Sequence, residues 1–311
     1  MGARISVVMP CFDAAAHLAQ SIASVRAQTL SEWELVFVDD GSTDGSVALA
    51  EALARDDARI RVVRQPNRGV CAARNAGLAA ARGEYLAFLD ADDTWEPDFL
   101  AQMLAALEAH PQAGIAYCGW QNLGLPGGRG QPYVPPELEG PDKLAKLFDS
   151  CQWPIHACLA RLADVRAAGG FDPRFKTSED MLLWLKLGKS RPLVRVPRVL
   201  AYYHFHDAQT TRDKAAAAIN HLRVQKSFVA EFPDDAARIP RAARRASMQG
   251  RLARKGLECH WAGDIDNARA IFRALPRAGR VAPQHWKYWF AALLPRAVYA
   301  RLLGRRESAV R

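Results

Sequence analysis

Four short apolar runs constrain this chain more than any other feature: Ile5-Ser6-Val7-Val8-Met9, Leu35-Val36-Phe37-Val38, Ile60-Arg61-Val62-Val63 and Tyr85-Leu86-Ala87-Phe88-Leu89. They are rich in β-branched and aromatic residues and too short for helices, so they read as buried strands, the first ended by Pro10. Stretches with helical character follow the first three, over about 14–28, from a cap at Ser42 to about Ala54, and over about 70–81. Ser42 is a residue type that caps helices. This strand–helix alternation predicts an α/β fold, a mostly parallel sheet flanked by helices on both faces. Such sheets bind ligands beyond the carboxyl ends of their strands.

Carboxylates collect at those ends: Asp13 after the first strand, Asp39 and Asp40 after the second, Asp90, Asp92 and Asp93 after the fourth. Any one of them is an ordinary turn or capping residue. Together they are expected to converge on one sheet edge. In Asp90-Ala91-Asp92-Asp93 the carboxylates repel one another, and a divalent cation relieves that repulsion through the hard oxygen ligands that Mg²⁺ and Mn²⁺ prefer.

Beyond the first hundred residues the pattern loosens. Gly114-Ile115-Ala116-Tyr117-Cys118 reads as a strand, residues 124–140 as a Gly- and Pro-rich surface loop, and the chain after Asp213 as helical. Trp261-Ala262-Gly263-Asp264 with Ala268, Arg269, Phe272 and Pro276 faintly echoes a tetratricopeptide-type helix pair, but one copy is not an array. The expected organisation is a catalytic domain over 1–212 and a basic helical region over 213–311. Of the 311 residues, half are apolar, enough for a sizeable core. The net charge of +9 is unevenly spread: residues 212–311 hold 21 Lys/Arg and 8 Asp/Glu, a balance of +13, and residues 1–211 hold 21 and 25, a balance of −4. The basic part suits an anionic surface or a solvated helical face. Within 284–306, Trp286, Tyr288, Trp289, Phe290, Leu293 and Tyr299 interleave with Arg296, Arg301, Arg305 and Arg306, with Pro295 as a breaker. That mixture suits an anionic membrane surface, engaged through 284–311, or a packed domain cap. No nucleic-acid reader motif accompanies the charge.

The six cysteines, Cys11, Cys71, Cys118, Cys151, Cys158 and Cys259, form no CxxC pair, which argues against zinc and for a reducing compartment. No signal peptide and no apolar run of about 18 residues is seen, so the expected location is cytoplasmic, with a peripheral position at the membrane face as the further expectation.

Several of these segments, over about residues 4–212, resemble the family-2 glycosyltransferases of the GT-A fold, which is Rossmann-like. Val7-Val8-Met9-Pro10-Cys11-Phe12-Asp13 is similar to the opening strand and nucleotide-binding turn, where the family more often has Asn in place of Asp13. Val38-Asp39-Asp40-Gly41-Ser42-Thr43-Asp44 resembles the acidic turn whose carboxylate recognises the base. Asn67-Arg68-Gly69 with Ala73-Arg74-Asn75-Ala76-Gly77 resembles the next stretch, which places Arg74 near the nucleotide. Leu89-Asp90-Ala91-Asp92-Asp93 corresponds to the metal-binding segment, with Pro97 following. Gly169-Gly170-Phe171-Asp172 resembles the acceptor-side turn, and Ser178-Glu179-Asp180-Met181-Leu182-Leu183-Trp184 the segment that supplies the base. Tyr203-His204-Phe205-His206 resembles the late motif whose last His helps hold metal or diphosphate. His204 stands where the family usually has Arg, and Arg212 is a candidate replacement.

The resemblance implies an inverting, metal-assisted transferase that moves a sugar from a nucleotide diphosphate, uridine-based, to a hydroxyl of a glycan or lipid-linked acceptor. It implies Asp180 as base, Pro10, Phe12, Asp13, Asp39, Asp40, Asn67, Arg74, Asp90 and Ala91 at the nucleotide, and Asp92, Asp93 and His206 at Mn²⁺ or Mg²⁺. An acceptor hydroxyl must lose a proton as it attacks, and one positioned carboxylate suffices. On a helix Glu179 and Asp180 point about 100° apart, so only one can face the cleft fully. The alternatives are an acidic first helical turn behind Ser178 that merely complements the helix dipole, and a non-catalytic nucleotide-sugar-binding module of the same fold. Cys11 is assigned no role.

Overall fold

The computed structural model describes residues 2–125, 130–206 and 213–303. It divides into two compact units, residues 1–147 with 151–208, and residues 148–150 with 209–311.

The first unit is built on an eight-stranded sheet. Its strands are β1 Ile5–Cys11, β2 Trp33–Asp39, β3 Ile60–Arg64, β4 Tyr85–Phe88, β5 Thr94–Trp95, β6 Ile115–Leu123, β7 Cys158–Arg161 and β8 Leu193–His204, in the order β3-β2-β1-β4-β7-β6-β8-β5. Its helices are α1 Ala15–Arg26, α2 Ser46–Asp56, α3 Val70–Ala80, α4 Phe99–Ala109, α5 Lys143–Asp149, whose last two residues count with the second unit, α6 Leu162–Ala167 and α7 Glu179–Gly188. Pairings β1–β2, β2–β3, β1–β4 and β6–β8 are parallel, and β7 runs antiparallel to both β4 and β6. The predicted α/β architecture is thus the observed one. β1, β2 and β4 are buried at every position, as unalternating apolar strands should be.

Pro10 sits inside β1 rather than ending it, and the pairing explains why this is tolerated. Val8 O accepts from Leu89 N on the β4 side, and Cys11 O accepts from Asp40 N on the β2 side. Backbone groups alternate along a strand, so the nitrogen of Pro10 faces the β4 side, and β4 pairs with β1 only as far as Val8. The proline therefore costs no ladder bond. The sheet splits open at that point. With chain order reversing between β1 and β4, the opening is a topological switch point, the place where α/β sheets bind ligands.

The predicted cap at Ser42 is not used. α2 starts at Ser46, and Ser42 Oγ instead accepts from Asp13 N at 3.1 Å. Asp13 Oδ1 accepts from Thr43 N at 2.7 Å and Asp44 N at 3.3 Å, which wraps the 42–44 turn over the end of β1. Asp13 itself has φ +47°, a left-handed conformation that Asn and Asp tolerate better than most residues.

The second unit is helical: α8 Lys214–Glu231, α9 Pro233–Arg238, α10 Arg241–Arg245, α11 Arg251–Trp261, α12 Ile265–Ala274, α13 Trp286–Leu293 and α14 Arg296–Leu303, with a π-helical turn Ala246–Gly250 joining α10 to α11. Its core includes Leu222, Leu252, Ile271, Phe272, Ala292 and Tyr299. The echo of a helix pair corresponds to α11 and α12. Gly263 at φ +73° ends the first, and Asp264 caps the second by accepting from Asn267 N. Gly256 lets the pair close up, since a Cβ there would meet the Phe272 ring at 2.9 Å. Pro295 separates α13 from α14, as its missing N–H requires.

Candidate functional site

The carboxyl ends of β1, β2 and β4 carry the predicted acidic turns. Asp39 and Asp40, 4% and 3% exposed, are taken up by nearby N–H groups. Asp39 accepts from Gly41 N and Ser42 N, at 3.3 and 3.1 Å. Asp40 accepts from Gln65 Nε2, Arg68 N and Gly69 N at 2.7–2.9 Å. Asp40 thereby holds the 65–69 loop, which contains exposed Asn67, against the end of β2. Gly41, at φ +82°, is needed because a Cβ would lie 2.9 Å from Asn67 N. Pro10 is buried, while Phe12 is 51% exposed, an aromatic ring at the mouth of the sheet opening.

The Asp90–Asp93 turn, closed by Asp93 N donating to Asp90 O, sends its carboxylates three ways. Asp90 accepts from Arg74 Nη2 through both oxygens, at 2.8 and 3.0 Å. Asp92 Oδ2 lies 3.0 Å from His206 Nε2, and both side chains are partly exposed. Asp93 is fully buried; it accepts from His204 N at 3.1 Å and lies 3.0 Å from Nδ1 of fully buried His156, an ion pair by distance whose angles fall short of a hydrogen bond. Burial pushes the Asp93 carboxyl up to about 6 against the pull of His156. Burial lowers the His156 pKa, but Asp93 outweighs it and the net shift is upward. Ala91 contributes backbone only, its carbonyl accepting from Ser21 Oγ at 2.9 Å.

Of the predicted metal ligands, Asp92 and His206 are therefore together and Asp93 points inward. Among the described residues no group of three His, Cys, Asp or Glu is arranged to hold a metal ion. One carboxylate and one imidazole still fit an ion that draws its remaining ligands from a diphosphate and water. Arg212 lies outside the described residues.

At the second predicted turn, Ser178 precedes α7 at φ +60° and makes no side-chain cap bond. Glu179 and Asp180 diverge as helical geometry requires. Glu179 turns inward to Arg74, its Oε1 accepting from Nη1 at 2.5 Å. Asp180 accepts from Met181 N at 2.8 Å and from the thiol of Cys151 at 3.2 Å. Burial raises the pKa of both carboxyls. Arg74, 4% exposed, thus spends its guanidinium on Asp90 and Glu179.

Three neighbours carried no sequence signal. His156 and Cys151 sit in irregular stretches and His17 stacks on His206 at 4.4 Å, while the pairing of Glu179, a residue of the quoted motif, with Arg74 has no signal of its own. His204 Nε2 lies 2.8 Å from Thr94 Oγ1. Burial pushes the Cys11 thiol up to about 11.

This fold is the GT-A architecture of glycosyltransferases. The model of glycosyl transferase family 2 matches residues 6–165, and the chain belongs to that family. An alignment with the uncharacterized glycosyltransferase EpsJ of Bacillus subtilis is 37% identical and covers 46% of this chain and 40% of that protein, so the chain matches less than half of that relative's length. The putative teichuronic acid biosynthesis glycosyltransferase TuaG of the same organism is 31% identical over 60% of this chain and 72% of its own length. Among solved structures, S. aureus TarS 1-349 in complex with UDP-GlcNAc aligns with a TM-score of 0.68 at 16% identity, covering 97% of this chain and 92% of that one. A mannosyltransferase from Pyrobaculum calidifontis, solved with GDP-Man and Mn²⁺, aligns with a TM-score of 0.57 at 17% identity over 99% and 88%.

Proposed function

We propose that this glycosyltransferase moves a sugar, with inversion, from a uridine diphosphate donor to a hydroxyl of a cell-surface glycan or lipid-linked saccharide. The observation that carries the reading is the joining of the Asp90–Asp93 turn to the Glu179–Asp180 turn through one buried arginine, which gives the sheet opening a donor side and a base side. Asp180 is the base: it is partly exposed, and one of its oxygens is oriented by the adjacent Met181 N–H. A raised pKa moves a carboxylate toward the range where it accepts protons effectively. Phe12, Asp13 and the 65–69 loop line the nucleotide side. Asp92 and His206 would hold Mn²⁺ or Mg²⁺, which when bound neutralises charge on the departing diphosphate. UDP-GlcNAc in TarS, Mn²⁺ in the mannosyltransferase and the teichuronic acid assignment of TuaG support donor, metal and acceptor classes in turn.

The reading places the enzyme in the cytoplasm, peripheral to an anionic membrane face. Trp286, Phe290 and Leu293 recur along one face of α13 and are 44–55% exposed, followed by Val298 and Leu302 on α14. No helix among the described residues is long and apolar enough to cross a membrane.

A thermal-shift screen of nucleotide sugars with and without Mn²⁺ tests the reading. A UDP-sugar should raise the unfolding temperature more with Mn²⁺ than without, because only the folded chain binds it. If no nucleotide sugar shifts the transition, the donor assignment fails.

A further inference from the structure

Arg74, on α3, holds the donor-side turn with one guanidinium nitrogen and the start of α7 with the other. The guanidinium is planar and rigid, so both carboxylates are referred to one plate. α3 is anchored beside it: Asn75 brackets Phe171, donating to its O at 2.7 Å and accepting from its N at 2.9 Å. Gly170, at φ +64°, admits this contact, since a Cβ there would lie 2.5 Å from Asn75 Oδ1. The Arg74 guanidinium also lies 5.4 Å from the Phe171 ring. The two terminal nitrogens of Arg74 thus each meet a carboxylate, beside the contact that anchors α3.

Two consequences follow. With both Asp90 oxygens engaged by Nη2, anything that draws Asp90 toward a donor loosens that grip and leaves the guanidinium to Glu179. Glu179 is the neighbour of Asp180 in the same helical turn, so a shift of one carries the other. We infer that Arg74 is a positioning residue that couples ligand binding at the Asp90–Asp93 turn to the placement of Asp180. The inference rests on the nucleotide-sugar reading, and Arg74 touches no reacting atom in it.

The chain carries its own reporter. Cys151 is the exposed member of the six cysteines, and its thiol lies 3.2 Å from Asp180 Oδ2. The experiment measures maleimide labelling of Cys151 in the full chain, with and without UDP plus Mn²⁺, while calorimetry follows UDP binding. Cys151→Ser is the labelling control. In the unsubstituted protein, UDP should change the labelling rate by about 5-fold or more, the lower end of typical coupling between sites. In Arg74→Met, UDP should still bind and the rate should no longer respond. Should Arg74→Met fail to unfold cooperatively, Glu179→Gln decides, because it keeps the Asp90 contact and removes only the charge at the α7 end; it too should blunt the response. An unchanged rate in the unsubstituted protein with UDP bound overturns the coupling. So does a response that persists undiminished in the variants, which marks direct shielding of the thiol. Absence of UDP binding in calorimetry overturns the nucleotide reading itself, and the coupling with it.

Discussion

The two units treat buried polarity in opposite ways. In the first, Glu34, Asp39, Asp40, Arg74, Asp93 and Glu179 are all buried. In the second, the buried polar residues among those described are His221, Gln225, Ser247 and Gln249, none permanently charged, although the region is the basic part of the chain. Its neutral groups tie down backbone: Gln225 Nε2 donates to Phe148 O, Gln249 Nε2 donates to Arg280 O, and His221 Nε2 lies 2.9 Å from Asp149 O. Burial pushes His221 down to about 4, so it is neutral near pH 7. Removing ions from water is costly even when they are paired. A helical unit of similar chain origin manages without that cost, so stability alone does not account for the charges buried at the sheet edge. Glu34 pairs with Arg61 near the start of β2, whereas Asp39, Asp40, Arg74 and Asp93 gather at the switch point, which fits a site that must handle charge.

Substitutions in the two units test this contrast. The largest expected effect is Asp180→Asn, which should lower turnover by about 10²–10⁴-fold, the range for general base catalysis, with donor binding retained in calorimetry. Near-normal transfer would remove Asp180 as base. Arg74→Ala comes next: it strands buried Glu179 and half-buried Asp90 and should cost about 3–5 kcal/mol in urea unfolding. Exposed Arg254→Ala in the second unit should stay within about 0.5 kcal/mol. Equal losses would erase the distinction between the units.

Acid probes the second unit through His221. A histidine that is neutral when folded is protonated first in the unfolded chain, so stability is intact above pH 6.5 and falls as pH drops toward about 4. At about 1.4 kcal/mol per pH unit the loss is on the order of 3 kcal/mol. Hydrogen-exchange protection of α8 and α11 should fall over that window and flatten in His221→Gln. Gly256→Ala should cost about 1–3 kcal/mol by overpacking the Phe272 ring, read as a lower denaturation midpoint. The smallest effect is expected at the α13 stripe, where Phe290→Ser with Leu293→Ser should weaken co-sedimentation with anionic vesicles at low salt and leave stability unchanged. Undiminished sedimentation would assign vesicle binding to charge alone.

Much of the first unit was legible because its signals are local. β1 to β4 follow from short apolar runs, and the acidic turns follow them directly. The misread points depended on partners far along the chain. Ser42 has the chemistry of a helix cap, yet Asp13 draws its turn onto β1 instead. Pro10 looked like a strand terminator until the opening beside β4 removed the need for its N–H. His156 and His17 stand in no motif, and only packing brings them beside Asp93 and His206.

By itself, the sequence determined the parallel strand–helix frame and placed carboxylates at its strand ends. Both follow from hydrophobic periodicity and turn chemistry within a few residues. It left the carboxylates equivalent, because Asp90, Asp92 and Asp93 are the same residue type three times over. Only the tertiary structure separated them, sending Asp90 to Arg74, Asp92 to His206 across 114 residues and Asp93 to buried His156. The same holds for Glu179 and Asp180, where an arginine 105 residues before Glu179 claims it and leaves its neighbour to Met181 N and the Cys151 thiol. What a carboxylate does is set by its burial and by the cation within reach, and both are properties of the fold.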